Sequence, residues 1–87
     1  MNTIALMQDR LASLAPDQLE ISDDSHEHVG HAGAASGGGH YHVTIVSQAF
    51  AGKNLLARHR LVYQALGDLM QQRIHALAIA AYTPDQL

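Results

Sequence analysis

Residues 50 to 82 read FAGKNLLARHRLVYQALGDLMQQRIHALAIAAY, and two periodicities meet in them. In the first part Leu55, His59, Val62, Leu66 and Leu69 recur at spacings of three and four, and Leu56, Tyr63 and Met70 widen the same stripe. That spacing predicts a long helix with one apolar face. From Ile74 to Tyr82 the period drops to two, with Leu77 and Ile79 set against Ala76, Ala78 and Ala80, as in a strand covered on at least one face. Gly67 lies inside the helical pattern, where glycine costs about 1 kcal/mol relative to alanine, so close packing against a neighbour is expected there. Beyond the strand, Thr83-Pro84-Asp85 reads as a helix start, with Thr83 as cap and Pro84 in the first turn.

The chain before this segment supplies the other strands. Tyr41, Val43 and Ile45 alternate with His42, Thr44 and Val46 in a β-branched run, which predicts a strand over residues 40 to 47. Leu19 and Ile21 alternate with Glu20 and Ser22 and end at the turn signal Asp23-Asp24-Ser25, a shorter strand that closes a hairpin with the first. Ile4, Met7, Leu11 and Leu14 mark a helix over residues 3 to 14, stopped by Pro16. Gln48 to Phe50 fit one short turn before Gly52. The predicted order is α-β-β-α-α-β, an α+β fold with a three-stranded sheet covered by helices on one side.

Length and composition favour an adaptor. A chain of 87 residues forms one domain, residues 1 to 87, that buries only about 60 to 65% of its unfolded surface and leaves little room for an enclosed active site. No nucleophile-base or paired-carboxylate arrangement stands out, so the chain is not expected to be an enzyme. Apolar residues make up 47% of it, enough to fold. No run approaches the roughly 20 apolar residues of a membrane span, and Asp9 and Arg10 fall where a secretory signal needs its apolar stretch. With no cysteine, disulfide staples and a CxxC redox role are ruled out, and a reducing, cytoplasmic setting is expected. Net charge is −3, yet four of the five cations, Lys53, Arg58, Arg60 and Arg73, fall in the last 35 residues. They form a local basic face, a candidate for docking a partner or nucleic acid.

Residues 23 to 39 carry no periodicity and form a long His/Gly-rich hairpin tip, the flexible segment where a site is expected. His26, His28 and His31 stand in it, and His40 and His42 follow on the strand. Imidazole suits iron, zinc, copper and nickel, but iron-sulfur clusters are normally held by thiolates, which this chain would have to obtain from another molecule. His40 and His42 point away from Tyr41 and read as surface strand residues. His59 lies on the apolar stripe of the long helix and reads as a packed, hydrogen-bonded core residue. Strand alternation puts His75 on the side of Leu77 and Ile79, half-buried at the sheet end.

The segment Phe50-Ala-Gly52-Lys53 through Arg58-His59-Arg60-Leu-Val-Tyr63-Gln-Ala-Leu66, followed by Ile74-His75-Ala76-Leu77, resembles the BolA family. The family pattern F-x-G-K-x-x-x-x-R-H-R-x-V-Y-x-x-L is met at every fixed position, and Leu19-Glu-Ile21 with Asp23 and Ser25 also fits, so the resemblance covers nearly the whole chain. Asp24 departs from the glutamate common before that serine. The resemblance implies a fold like the type II KH domain. It also implies pairing, as a heterodimer, with a monothiol glutaredoxin and a shared [2Fe-2S] cluster. There the glutaredoxin and its glutathione supply thiolates and this chain supplies histidine. By position the implied ligands are His75, in the strand after the long helix, and His28 in the hairpin loop, with His26 and His31 as close competitors. A histidine must be neutral to bind iron, so mild acid is expected to release such a cluster. Alone, the chain is expected to carry no cofactor and to be a monomer or weak homodimer.

Two rival functions follow. The resemblance also implies a DNA-binding transcriptional regulator of the stress and morphology type, with Lys53, Arg58, Arg60 and Arg73 on the nucleic acid. Gly52-Lys53-Asn54-Leu55 lacks the second glycine of the G-x-x-G loop with which KH domains clamp a nucleic-acid backbone, so such binding is expected to be weak and salt-dependent. Alternatively, His26, His28 and His31, spaced H-x-H-x-x-H, bind zinc, nickel or copper by themselves.

Overall fold

The computed structural model describes residues 2 to 25 and 39 to 87. Helix α1 spans Thr3–Leu11, strand β1 Gln18–Asp23, strand β2 Gly39–Val46, helix α2 Leu55–Leu66, the short helix α3 Leu69–Gln72, and strand β3 Ile74–Tyr82. The predicted order α-β-β-α-α-β is recovered, with the paired helices coming from a division of the long predicted one and the short turn at Gln48–Phe50 proving 3₁₀. Single 3₁₀ turns follow α1 at Ala12–Leu14, precede α2 at Gln48–Phe50 and close the chain at Pro84–Gln86.

The local chemistry explains where each helix starts and stops. Asn2 Oδ1 accepts the Ala5 N–H at 2.8 Å and Asn54 Oδ1 accepts the Ala57 N–H at 2.9 Å, so each asparagine satisfies a donor that the first helical turn leaves orphaned. The amphipathic run predicted as one helix from 3 to 14 turns 3₁₀ at Ala12, and Ala15, at φ 47°, reverses the chain before Pro16. Gly67 ends α2 at φ +56° and ψ −130°, its N–H bonded to the Tyr63 carbonyl. The long predicted helix is therefore two. The neighbour expected at Gly67 is also there: a Cβ would come 3.3 Å from Arg10 Nη1. That guanidinium binds the Leu66 carbonyl at 3.0 Å and the Asp68 carboxylate at 2.9 Å, pinning α1 to the α2–α3 turn.

The sheet order is β1-β2-β3. β1 and β2 are antiparallel, with Leu19 opposite Ile45 and Ile21 opposite Val43. β3 lies parallel to β2, with Leu77 opposite Tyr41, Ile79 opposite Val43 and Ala81 opposite Ile45. Parallel neighbours need a crossover, and α2 and α3 provide it. The core gathers Met7 and Leu11 of α1, Val43 and Ile45 of β2, Phe50, and Val62 and Leu66 of α2, all without solvent exposure. The spacing predicts one apolar face on α2, widened by Leu56 and Tyr63, but the core does not cover all of it. Leu55, Leu56 and Tyr63 are 66%, 60% and 41% exposed, because the elements packed on this helix bury only Val62 and Leu66.

Candidate metal centre on the open face of the sheet

β2 decides which residues face the helices and which do not. Tyr41, Val43 and Ile45 enter the core, so His40, His42 and Thr44 project from the opposite face. His40 and His42 are half-buried there, on the face the sequence assigned them. Across the parallel ladder His40 is opposite Ala76, His42 opposite Ala78 and Thr44 opposite Ala80. The open face is thus floored by alanines and carries histidines on its central strand.

At one end the register slips. Gly39 pairs with Ile74, yet His40 pairs with Ala76, leaving His75 as an extra residue in β3. A bulge of this kind re-aims a side chain. Simple alternation places His75 with Leu77 and Ile79 against the core; the structure instead leaves His75 exposed, with its ring centroid 5.1 Å from that of His40 and the two rings tilted by 43°. The bulge converts a residue of core parity into a surface imidazole beside a second imidazole. His40 was not read from the sequence as a site residue, since its proximity to His75 depends on a register slip that leaves no mark in the alternation.

Gly39 sits where that geometry needs it. A Cβ on Gly39 would lie 2.5 to 2.8 Å from the Tyr41 ring, so only glycine lets the tyrosine fold back over the start of β2. The Gly39 N–H donates to the Arg73 carbonyl at 3.1 Å, holding the bulged end of β3 to β2. On the other side the Asp24 N–H donates to the His40 carbonyl at 2.7 Å, and the His40 N–H donates to Ser25 Oγ at 3.0 Å. The chain therefore leaves β1 and re-enters β2 at this same end of the sheet. His26, His28 and His31 fall outside the described residues, but His28 is three residues from Ser25, a span of at most about 10 Å of chain. Among the described residues no group of three or more His, Asp or Glu side chains is placed to hold a metal ion.

The basic residues divide. Arg58 is spent internally: its Nε donates to the Lys53 carbonyl at 2.9 Å, and its Nη1 to the Ala81 carbonyl at 3.2 Å and to Gln86 Oε1 at 2.7 Å. It ties the start of α2 to the end of β3. Arg60, Arg73 and Lys53 are exposed, and their side chains make no hydrogen bond or ion pair among the described residues, which leaves them available to a partner. His59 is half-buried, and its Nε2, closed off from solvent, has no hydrogen-bond partner among the described residues; the hydrogen bond expected for it is missing at that nitrogen. At the chain end the Asp85 carboxylate accepts from Thr83 Oγ1, and this bond holds its pKa below the ordinary value.

Comparison with known proteins agrees with this architecture. A family model described as BolA-like protein matches residues 11–86. The chain is 40% identical over 89 residues to Protein BOLA1, chloroplastic, of Arabidopsis thaliana, covering 98% of this chain and 56% of that protein. It is 39% identical over 72 residues to the DNA-binding transcriptional regulator BolA of Escherichia coli, covering 83% of this chain and 66% of that protein. Among solved structures, the BolA domain of SufE1 from Arabidopsis thaliana superposes with a TM-score of 0.85 at 37% identity, over 100% of this chain and 99% of that one. The chain spans only a fifth to just over half the length of several curated relatives. The two curated relatives described above are named as a BolA protein and a DNA-binding regulator rather than as enzymes. Among the described residues no helix is long and apolar enough to cross a membrane.

Proposed function

The chain belongs to the BolA family, and from that premise we propose that it is an adaptor in iron-sulfur cluster assembly, trafficking or iron regulation that shares a [2Fe-2S] cluster with a monothiol glutaredoxin. The observation that carries this reading is the exposed His75 imidazole. A bulge takes it out of the core alternation and presents it beside His40, at the sheet end where β1 ends, five residues before His28 in sequence. A chain without cysteine has no thiolate to offer a cluster, and imidazole is a donor that suits iron and replaces thiolate in some clusters.

His75 and His28 would hold the iron, with His31 and His26 nearest in sequence to take the place of His28. When bound, the cluster would have fewer thiolates than an all-cysteine one and a correspondingly higher potential. His40 acts on the ring of His75, limiting its orientations by contact. Arg60, Arg73 and Lys53, with no side-chain partner among the described residues, face the partner's carboxylates or the glutathione, for which the arginine guanidinium is a paired donor. Such a heterodimer belongs in a reducing compartment such as the cytoplasm.

The test is visible absorption and circular dichroism of the chain mixed with a cluster-loaded monothiol glutaredoxin. A heterodimer with an altered spectrum is expected, and His75→Ala abolishes the alteration. A wild-type spectrum and affinity for that variant would remove His75 from the site. The name of the Escherichia coli relative favours a second reading, DNA binding through the same basic residues. Titration with duplex DNA at physiological salt decides it: sequence-selective binding tighter than about 1 μM would promote regulation to the primary function.

A further inference from the structure

The two edges of the sheet are built differently. β1 carries Glu20 and Asp23 and is flanked by Asp17 and Asp24, the charged protection that keeps an edge strand from pairing with another chain. β3, the other edge, runs nine residues from Ile74 to Tyr82 with no charge, proline or glycine. Its backbone directions are fixed at the far end: the Tyr82 carbonyl accepts from the Ser47 N–H at 2.9 Å and so turns toward β2, while the Ala81 carbonyl turns outward to Arg58 Nη1. By alternation, the N–H and C=O groups of Leu77 and Ile79 also turn outward, and they find no hydrogen-bond partner among the described residues. The open segment is bounded by Arg58 at Ala81 on one side and by the His75 bulge on the other.

We propose that this segment pairs with the same segment of a second copy of the chain, antiparallel about a two-fold axis through Ala78, joining two sheets into one of six strands. The sequence is self-complementary about that axis: Leu77 faces Ile79 of the other copy, and Ala76 faces its Ala80. Leu77 and Ile79, half-buried at the margin of the core, gain each other as cover. Alanines on the open face let the strands meet without steric conflict. Leu77 and Ile79 exchange four backbone hydrogen bonds with their counterparts. Charge selects this edge over the other for a self-pairing: it places the acidic β1 strands at opposite ends of the long sheet, whereas pairing through β1 would bring the acids together. A contact of five residues per strand lies below the area of a stable interface, so the dimer is weak, with Kd on the order of 10⁻⁴ M.

Sedimentation equilibrium of the full chain, from about 10 μM to about 1 mM, is expected to show that weak dimer. Ala78→Lys and Ala78→Glu each place like charges directly opposite across the axis and leave the chain monomeric throughout. Mixing the two variants restores a heterodimer at least about tenfold tighter than either variant alone. Thermal melts by circular dichroism verify that both variants fold. Independently of any variant, hydrogen exchange at the Leu77 and Ile79 amides of the wild type slows as concentration rises. A wild type that stays monomeric, a dimer indifferent to both charges, or protection of these amides only when a glutaredoxin is added would each overturn the proposal, the last by assigning the edge to a different protein.

Discussion

The two faces of the sheet are made from the same three strands and do opposite things. The covered face presents Tyr41, Val43, Ile45, Leu77, Ile79 and Ala81 to the helices, and close packing against Met7, Leu11, Phe50, Val62 and Leu66 fixes the fold. The open face presents His40, His42, Thr44, Ala76, Ala78 and Ala80, with His75 delivered to it by a bulge. Its small residues contribute little to stability and leave room for a partner. The contrast teaches that stability and chemistry are sorted by strand parity, and that a single extra residue moves a side chain from one role to the other.

Substitutions should separate the faces. The largest expected effect is on the covered side: Ile45→Ala leaves a cavity at a position with no exposure and should cost about 2 to 5 kcal/mol, read as a fall in the urea midpoint. A cost under about 1 kcal/mol would mean that this face collapses easily and that the contrast is weaker than drawn. Gly39→Ala comes next. Its Cβ overlaps the Tyr41 ring, so about 1 to 3 kcal/mol of strain is expected, accompanied by a shift of the Tyr41 ring resonances. Arg58→Ala removes donors from the Lys53 and Ala81 carbonyls and from Gln86; a loss of about 1 to 2 kcal/mol is expected, with faster hydrogen exchange at the end of β3.

On the open face the expected stability changes are small. His75→Ala, at an exposed position, should stay within about 0.5 kcal/mol of the wild type in thermal unfolding while losing the cluster-dependent spectrum. A large destabilisation would show that the bulge serves the fold, and would erase the division between the faces. The smallest effect concerns the C-terminal turn. The hydrogen bond from Thr83 lowers the Asp85 pKa below 3.8, so the ionised carboxylate favours the folded turn above that pH. This contribution is lost as pH falls through the lowered value. Fraying confined to residues 83 to 87 is expected below about pH 3.8 by NMR, without a shift in the main transition.

Much of this was legible without coordinates. The β3 strand, Ile74 to Tyr82, follows from a run of period two, and β2 from the β-branched alternation at Tyr41, Val43 and Ile45, because local chain geometry alone sets those repeats. The division of the long helix was visible only as a glycine, since Gly67 could equally have served packing; its positive φ comes from the turn that meets Arg10. The exposure of Leu55, Leu56 and Tyr63 was illegible because periodicity marks an apolar stripe but not how far along it a neighbour reaches. The histidines were half legible. The family pattern singled out His75, yet nothing in the alternation showed that it would stand beside His40.

By itself the sequence determined the order of elements, the faces of the central strand, the absence of any thiol and the family. Those properties depend on residue identity and on repeats a few residues long. Only the tertiary structure decided that β3 runs parallel to β2, that the ladder slips at His75, and that Arg58 is consumed within the fold. Each of these is a contact between residues distant in the chain, and its register is set by how the sheet closes against the helices, which no local repeat encodes.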